Sequence, residues 1–157
     1  MILYLDASAL VKRYVAEAGT EEVAQAIADA EVIGTSLISR AETSAALTKA
    51  VRMGALTREA AASSLQVFRS EWSDLVRVQA TEMLIARADI LAWELGLRGY
   101  DAVHLASALL WQDSLGREVT MATFDRTLWQ AAEERGLNPF PEDLPGLLET
   151  WRREMSS

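Results

Sequence analysis

The chain has 157 residues, half of them hydrophobic and 24% charged, with a formal net charge of −8. This is the composition of a soluble globular protein long enough to bury its own core. Its acidity excludes the broad basic footprint of non-specific nucleic-acid binding, although bound divalent cations reverse the sign of a local carboxylate cluster. With no cysteine and a single histidine, disulfides, thiol catalysis and thiolate-held metals are excluded as well, which fits a reducing, cytoplasmic setting.

In chain order, "ILYLD", residues 2 to 6, reads as a short buried strand ending on a carboxylate. No basic segment precedes it and Asp6 breaks its apolar run, so neither a secretory leader nor a membrane span is expected. "SALVKRYVAE" continues at helical spacing with Ser8 as its cap, until Gly19 breaks it. "TEEVAQAIADA" is a second helix, capped by Thr20, with Glu21 and Glu22 suiting its first-turn dipole. Residues 31 to 36, "EVIGTS", form a second strand. "SLISRAETSAALTKAVRMG" then forms a long helix that stops at Gly54, and another helix runs from Thr57. "LVRVQ", residues 75 to 79, is a third strand. The helix "TEMLIARADILAWELG" ends at Gly96, and a very apolar helix occupies about residues 99 to 116. "EVTMAT", residues 118 to 123, is a fourth strand, followed by the helix "DRTLWQAAEERG". A Pro-rich connection, "LNPFPEDLPG", has room for a short edge strand at residues 137 to 140. It leads into a terminal helix, "LLETWRREMSS", whose end is expected to fray. Strands alternating with helices indicate an α/β protein: one domain over residues 1–157, layered α/β/α around a short, mostly parallel sheet.

In such a sheet, function gathers at the carboxyl ends of the strands. Asp6 ends the first strand. Asp125 lies two residues beyond the fourth and opens a helix, and Glu42 sits in the second turn of the helix leaving the second strand. Asp101 stands at or next to the start of its helix, where a carboxylate also serves as a cap. Two unit charges ~5 Å apart at an effective dielectric of ~20 repel by roughly 3 kcal/mol, so four carboxylates on one rim make sense if a hard cation binds there. Mg²⁺ and Mn²⁺ prefer oxygen ligands, and a carboxylate-held ion suits phosphoryl chemistry by activating water and offsetting phosphate charge.

"YLDASALVKRY" near the N-terminus, "AET" at Glu42, "YDAVHLASAL" at Asp101 and "TFDRTL" at Asp125 resemble the motifs of the PIN-domain ribonucleases, and most of all VapC-type toxins of toxin–antitoxin systems. The resemblance covers nearly the whole chain in order, and "DAVHLASAL" and "ATFDRTLW" are its most specific parts. It implies a PIN-like fold and an Mg²⁺- or Mn²⁺-dependent endoribonuclease acting on RNA. It also implies a homodimer and silencing by a small antitoxin protein. Carried over, Asp6, Glu42, Asp101 and Asp125 are the catalytic, metal-binding acids, with Ser8 and Thr123 as small polar neighbours. No departure occurs at the four acids.

Plainer readings stand beside these. Each acid could serve only as a cap or a solvated helix residue. His104, one turn beyond Asp101, reads as a packing and hydrogen-bonding residue within reach of Asp101. The five tryptophans read as core or interface residues. Arg98 and the other basic residues near the acids read mostly as surface positions. No glycine fingerprint or phosphate loop follows the first strand. An RNA- or protein-binding module with structural acids is the rival from another class. A small-molecule phosphohydrolase is disfavoured, because such enzymes commonly pair a nucleophilic aspartate with a second one two residues on, where this chain has Ser8.

Overall fold

The computed structural model describes residues 1–157. Strand β1 (Ile2–Leu5) is buried along its whole length, as a strand covered on both faces must be, and so it reads as a continuous apolar run. At Asp6 the chain turns into α1 (Ala7–Leu10), a single turn continued by a 3-10 turn over Val11–Arg13. The expected longer helix capped by Ser8 is thus replaced by a short one capped by Asp6. Thr20 does not cap α2 (Thr20–Asp29). Its hydroxyl donates to the Val15 carbonyl and accepts from the Glu17 N–H, tying down the intervening loop. The cap position falls to Gly19 at φ 95°, a left-handed conformation that favours glycine.

β2 (Val32–Ser36) leads into α3 (Ser39–Arg52), and α4 (Arg58–Glu71) into β3 (Val76–Val78). α5 (Glu82–Leu95) and α6 (Gly99–Leu115) follow as an adjacent pair, then β4 (Val119–Ala122), α7 (Arg126–Glu134), β5 (Asn138–Phe140) and α8 (Leu144–Ser156). Thr57 and Thr81 cap α4 and α5 through their side-chain oxygens. α8 starts earlier than the apolar pattern suggests, because Asp143 accepts from the Gly146 N–H and Pro145 suits a first turn. Its helical geometry runs to Ser156.

The five strands form one sheet in the order β3-β2-β1-β4-β5, and every pairing is parallel rather than mostly so. From β1 the chain builds outward through β2 and β3, then returns to lay β4 on the other side of β1. The topological switch point therefore lies between β1 and β4. Ile2, Tyr4, Val119 and Met121 face a core shared with α5, α6 and α7. Leu3, Leu5 and Ala122 face a second core with Leu10, Val23 and Phe68. These two cores make the three-layer α/β/α arrangement. Trp72, Trp111 and Trp129 are buried and Trp151 stacks on Phe124, whereas Trp93 is 89% exposed. No helix is long and apolar enough to cross a membrane.

Gly34 marks where α6 presses closest on the sheet: a Cβ there would lie 2.7 Å from the ring carbons of Trp111. Gly34→Ala is expected to destabilise the protein by about 1–3 kcal/mol through overpacking, measured as a lower denaturant midpoint at an unchanged slope, and Gly34→Ala with Trp111→Phe to recover part of that loss.

Candidate active site

Asp6 is the innermost of the four acids. Its backbone N–H extends the β1–β4 ladder by bonding the Ala122 carbonyl, and its carboxylate caps α1 through the Ala9 N–H at 2.9 Å. The same oxygen, Oδ1, accepts from the Ser8 hydroxyl at 2.7 Å, and Oδ2 accepts from the Thr123 hydroxyl at 2.6 Å. Both hydroxyls also accept: Ser8 Oγ from the Phe124 N–H and Thr123 Oγ1 from the Asp125 N–H. The two small polar neighbours singled out in the sequence therefore cross-brace the ends of β1 and β4. Burial nonetheless holds Asp6 above the usual carboxylate range, against the opposing pull of His104 and these donors.

Asp125 caps α7 through the Leu128 N–H at 2.9 Å. Asp101 differs from expectation. It is not a cap: the N-cap of α6 is Arg98, which makes no side-chain cap bond, and Asp101 is the third helical residue. Its partner is Arg98 itself, whose Nε donates to Asp101 Oδ2 at 2.8 Å while its Nη2 donates to Asp125 Oδ2 at 2.9 Å. One guanidinium fork thus spans two acids from different elements, a geometry that suits arginine's fixed donors. Its other side lies 5.0 Å from the Tyr100 ring centroid. Burial raises the Asp101 pKa; Arg98 opposes that shift, and the charges of Asp125 and Asp6 add to it. These three carboxylates therefore share one electrostatic field.

Glu42 reaches the same edge from α3, but its partner is His104: Nε2 lies 2.7 Å from Glu42 Oε1. The expected contact of His104 with Asp101 is replaced by this one. The other ring nitrogen, Nδ1, lies 2.7 Å from the hydroxyl of Tyr4 on β1. Two residues thus bear on the site beyond the sequence-derived set. Arg98 had a local signal, since positions three apart on a helix are neighbours. Tyr4 had none: it lies 100 residues from His104 and reads simply as a strand residue.

The donor set is oxygen only, which fits a hard divalent cation such as Mg²⁺ or Mn²⁺ and no softer metal. Asp6, Asp101, Asp125 and Glu42 are the residues that could hold it. No three of them converge tightly enough to make a ready ion cage, and the positive charge between Asp101 and Asp125 is supplied by Arg98. A cavity of about 310 Å³ opens elsewhere, lined by Leu10, Tyr14, Ile27 and Leu75 among others, and none of the four acids lines it.

Comparison with known proteins sets this arrangement in a family. A model of the PIN domain matches residues 3–134. The chain is 34% identical over 144 residues to ribonuclease VapC45 of Mycobacterium tuberculosis, covering 91% of this chain and 97% of that protein. Among solved structures it resembles PAE2754 from Pyrobaculum aerophilum, with a TM-score of 0.61 and 23% identity over 95% of this chain and 96% of that one. It also resembles a chain of a toxin–antitoxin complex from Klebsiella pneumoniae, with a TM-score of 0.56 and 21% identity over 80% of this chain and 87% of that one. With its five parallel strands, its acids at the carboxyl edge and a family match over most of its length, the chain belongs to the PIN-domain family, in its VapC-type branch.

Proposed function

We propose that the chain is a single PIN nuclease domain over residues 1–157 that cuts RNA internally with the help of Mg²⁺ or Mn²⁺, acting in the cytoplasm as the toxin of a toxin–antitoxin pair. The observation that carries this reading is the hydrogen-bonded linkage of Asp6, Asp125 and Asp101 through Thr123 and Arg98 at the switch point between β1 and β4, with Glu42 reaching the same edge from α3. The likeness to a named ribonuclease over most of the chain supports the substrate, and PIN-domain nucleases of this type generally depend on a divalent metal.

In this reading Asp6, Glu42, Asp101 and Asp125 would hold the ion, and the chemistry it would supply when bound is a more acidic water and compensation of charge on the scissile phosphate. The protein's part is placement. Ser8 and Thr123 fix both oxygens of Asp6, the α7 cap fixes Asp125, and Arg98 keeps Asp101 and Asp125 facing each other. A small antitoxin covering this edge is the partner, in line with the toxin–antitoxin complex among the structural neighbours. A homodimer also fits: Met83, Ile90 and Trp93 form an exposed apolar stripe along one face of α5, and such stripes mark association surfaces.

Three outcomes test this reading. Partner-free protein is expected to cleave RNA with Mg²⁺ or Mn²⁺ and to stop in EDTA; undiminished cleavage in excess EDTA from nuclease-free preparations refutes the metal mechanism. Asp101→Asn is expected to lower cleavage on the order of 10³-fold, the loss of a few kcal/mol of transition-state stabilisation. Because burial raises the folded-state pKa of Asp101, its ionisation reduces metal-free stability as pH climbs from the ordinary carboxylate value of ~3.9 upward. The metal-free melting temperature of Asp101→Asn should therefore match wild type near that pH, and equal or exceed it at neutrality. Trp93→Glu is expected to turn a dimer into a monomer by light scattering, and a wild-type monomer at micromolar concentration removes the α5 interface.

A further inference from the structure

Asp6, Asp101 and Asp125 are each held by caps, hydroxyls or a guanidinium. Glu42 has a single protein partner, the His104 ring, which is only 1% exposed. That ring is engaged at both nitrogens: Nδ1 at 2.7 Å from the Tyr4 hydroxyl and Nε2 at 2.7 Å from Glu42 Oε1.

The chemistry of these bonds follows from the partners. Tyr4 is fully buried, and burial pushes its ionisation well above the ordinary tyrosine range, so the phenol keeps its one proton. A carboxylate oxygen accepts and cannot donate, so at 2.7 Å Glu42 Oε1 takes a proton from His104 Nε2. On the other side the Tyr4 hydroxyl, with Ser107 and Ser36 as further side-chain partners, holds Nδ1 from the sheet core.

We propose that Tyr4 and His104 form a relay from the sheet core, and that His104, donating through Nε2–H, is the positioning residue that holds the Glu42 carboxylate in the acidic site. The inference deepens the nuclease reading, since it rests on Glu42 belonging to the metal site. The relay places the ring in the class of outer groups that orient metal ligands, whose removal typically weakens metal binding.

The chain has one histidine, so the full-length protein labelled with [¹⁵N]histidine shows a single imidazole. In the metal-free protein Nε2 is expected to carry a proton, and in Tyr4→Phe the ring shifts are expected to move. A bare Nε2 in wild type overturns the relay, as do unchanged shifts in Tyr4→Phe. The second arm reads free Mn²⁺ by electron paramagnetic resonance, without RNA. His104→Leu is expected to weaken Mn²⁺ binding ~10- to 100-fold. His104→Gln, whose amide N–H reaches a place close to that of Nε2–H, should recover most of the affinity, and Tyr4→Phe should fall between. These milder variants keep the test valid should the leucine variant fold poorly by circular dichroism. Loss of Mn²⁺ binding in Glu42→Gln, with none in His104→Leu, overturns the positioning role alone. Unchanged Mn²⁺ binding in Glu42→Gln overturns the placement of Glu42, and the positioning role with it.

Discussion

β1 and β4 pair in parallel over Ile2–Leu5 and Val119–Ala122, and their register sets Asp6 beside the Thr123 hydroxyl at 2.6 Å. From that contact the rest of the acidic edge can be traced. Thr123 takes the Asp125 N–H and Ser8 takes the Phe124 N–H, so the start of α7 is pinned to the end of β1. Arg98 then links Asp125 to Asp101 and brings the first turn of α6 to the same place. A slip of one residue between the strands would turn Asp6 to the opposite face and break each of these contacts in turn.

The cost of gathering these charges is visible in the site itself. Burial makes both Asp6 and Asp101 reluctant to ionise, and neighbouring carboxylates add to the effect at Asp101. The protein offsets this with neutral donors at Asp6 and a single cation at Asp101 and Asp125. Arg98 is itself well exposed, so its bridge is screened and modest in strength. The acidic edge is therefore held mainly by hydrogen bonds and sheet geometry, while its charge remains under-compensated, which is the condition under which a carboxylate cluster favours binding a cation.

The fold and the placement of the candidate site's acids are legible in the sequence because their signals are local. "ILYLD" and "EVTMATFD" each carry an apolar strand straight into a carboxylate, so Asp6 and Asp125 follow from strand ends alone. Glu42 depends on its short distance from β2, and Asp101 on the motif around it. The details that escape are those decided by partners distant in sequence or by competing turns. Thr20 looks like a cap but bonds a loop carbonyl instead. Asp101 looks like a cap, but its carboxylate is engaged by Arg98, one turn earlier. His104 reads as core, and it is core; that its ring also meets Glu42, 62 residues away, follows only from tertiary packing.

The position of β1 has a consequence for the chain as it is made. Of the five strands, β1 comes earliest in sequence and is the central one, and its second neighbour, β4, begins at Val119. Until then β1 has one bare edge, Asp6 lacks the Thr123 hydroxyl, and Asp125 does not yet exist. A chain interrupted between Arg52 and Val119 carries β1, β2 and α3 but no complete acidic edge. The edge is therefore complete only once the segment through Asp125 is in place.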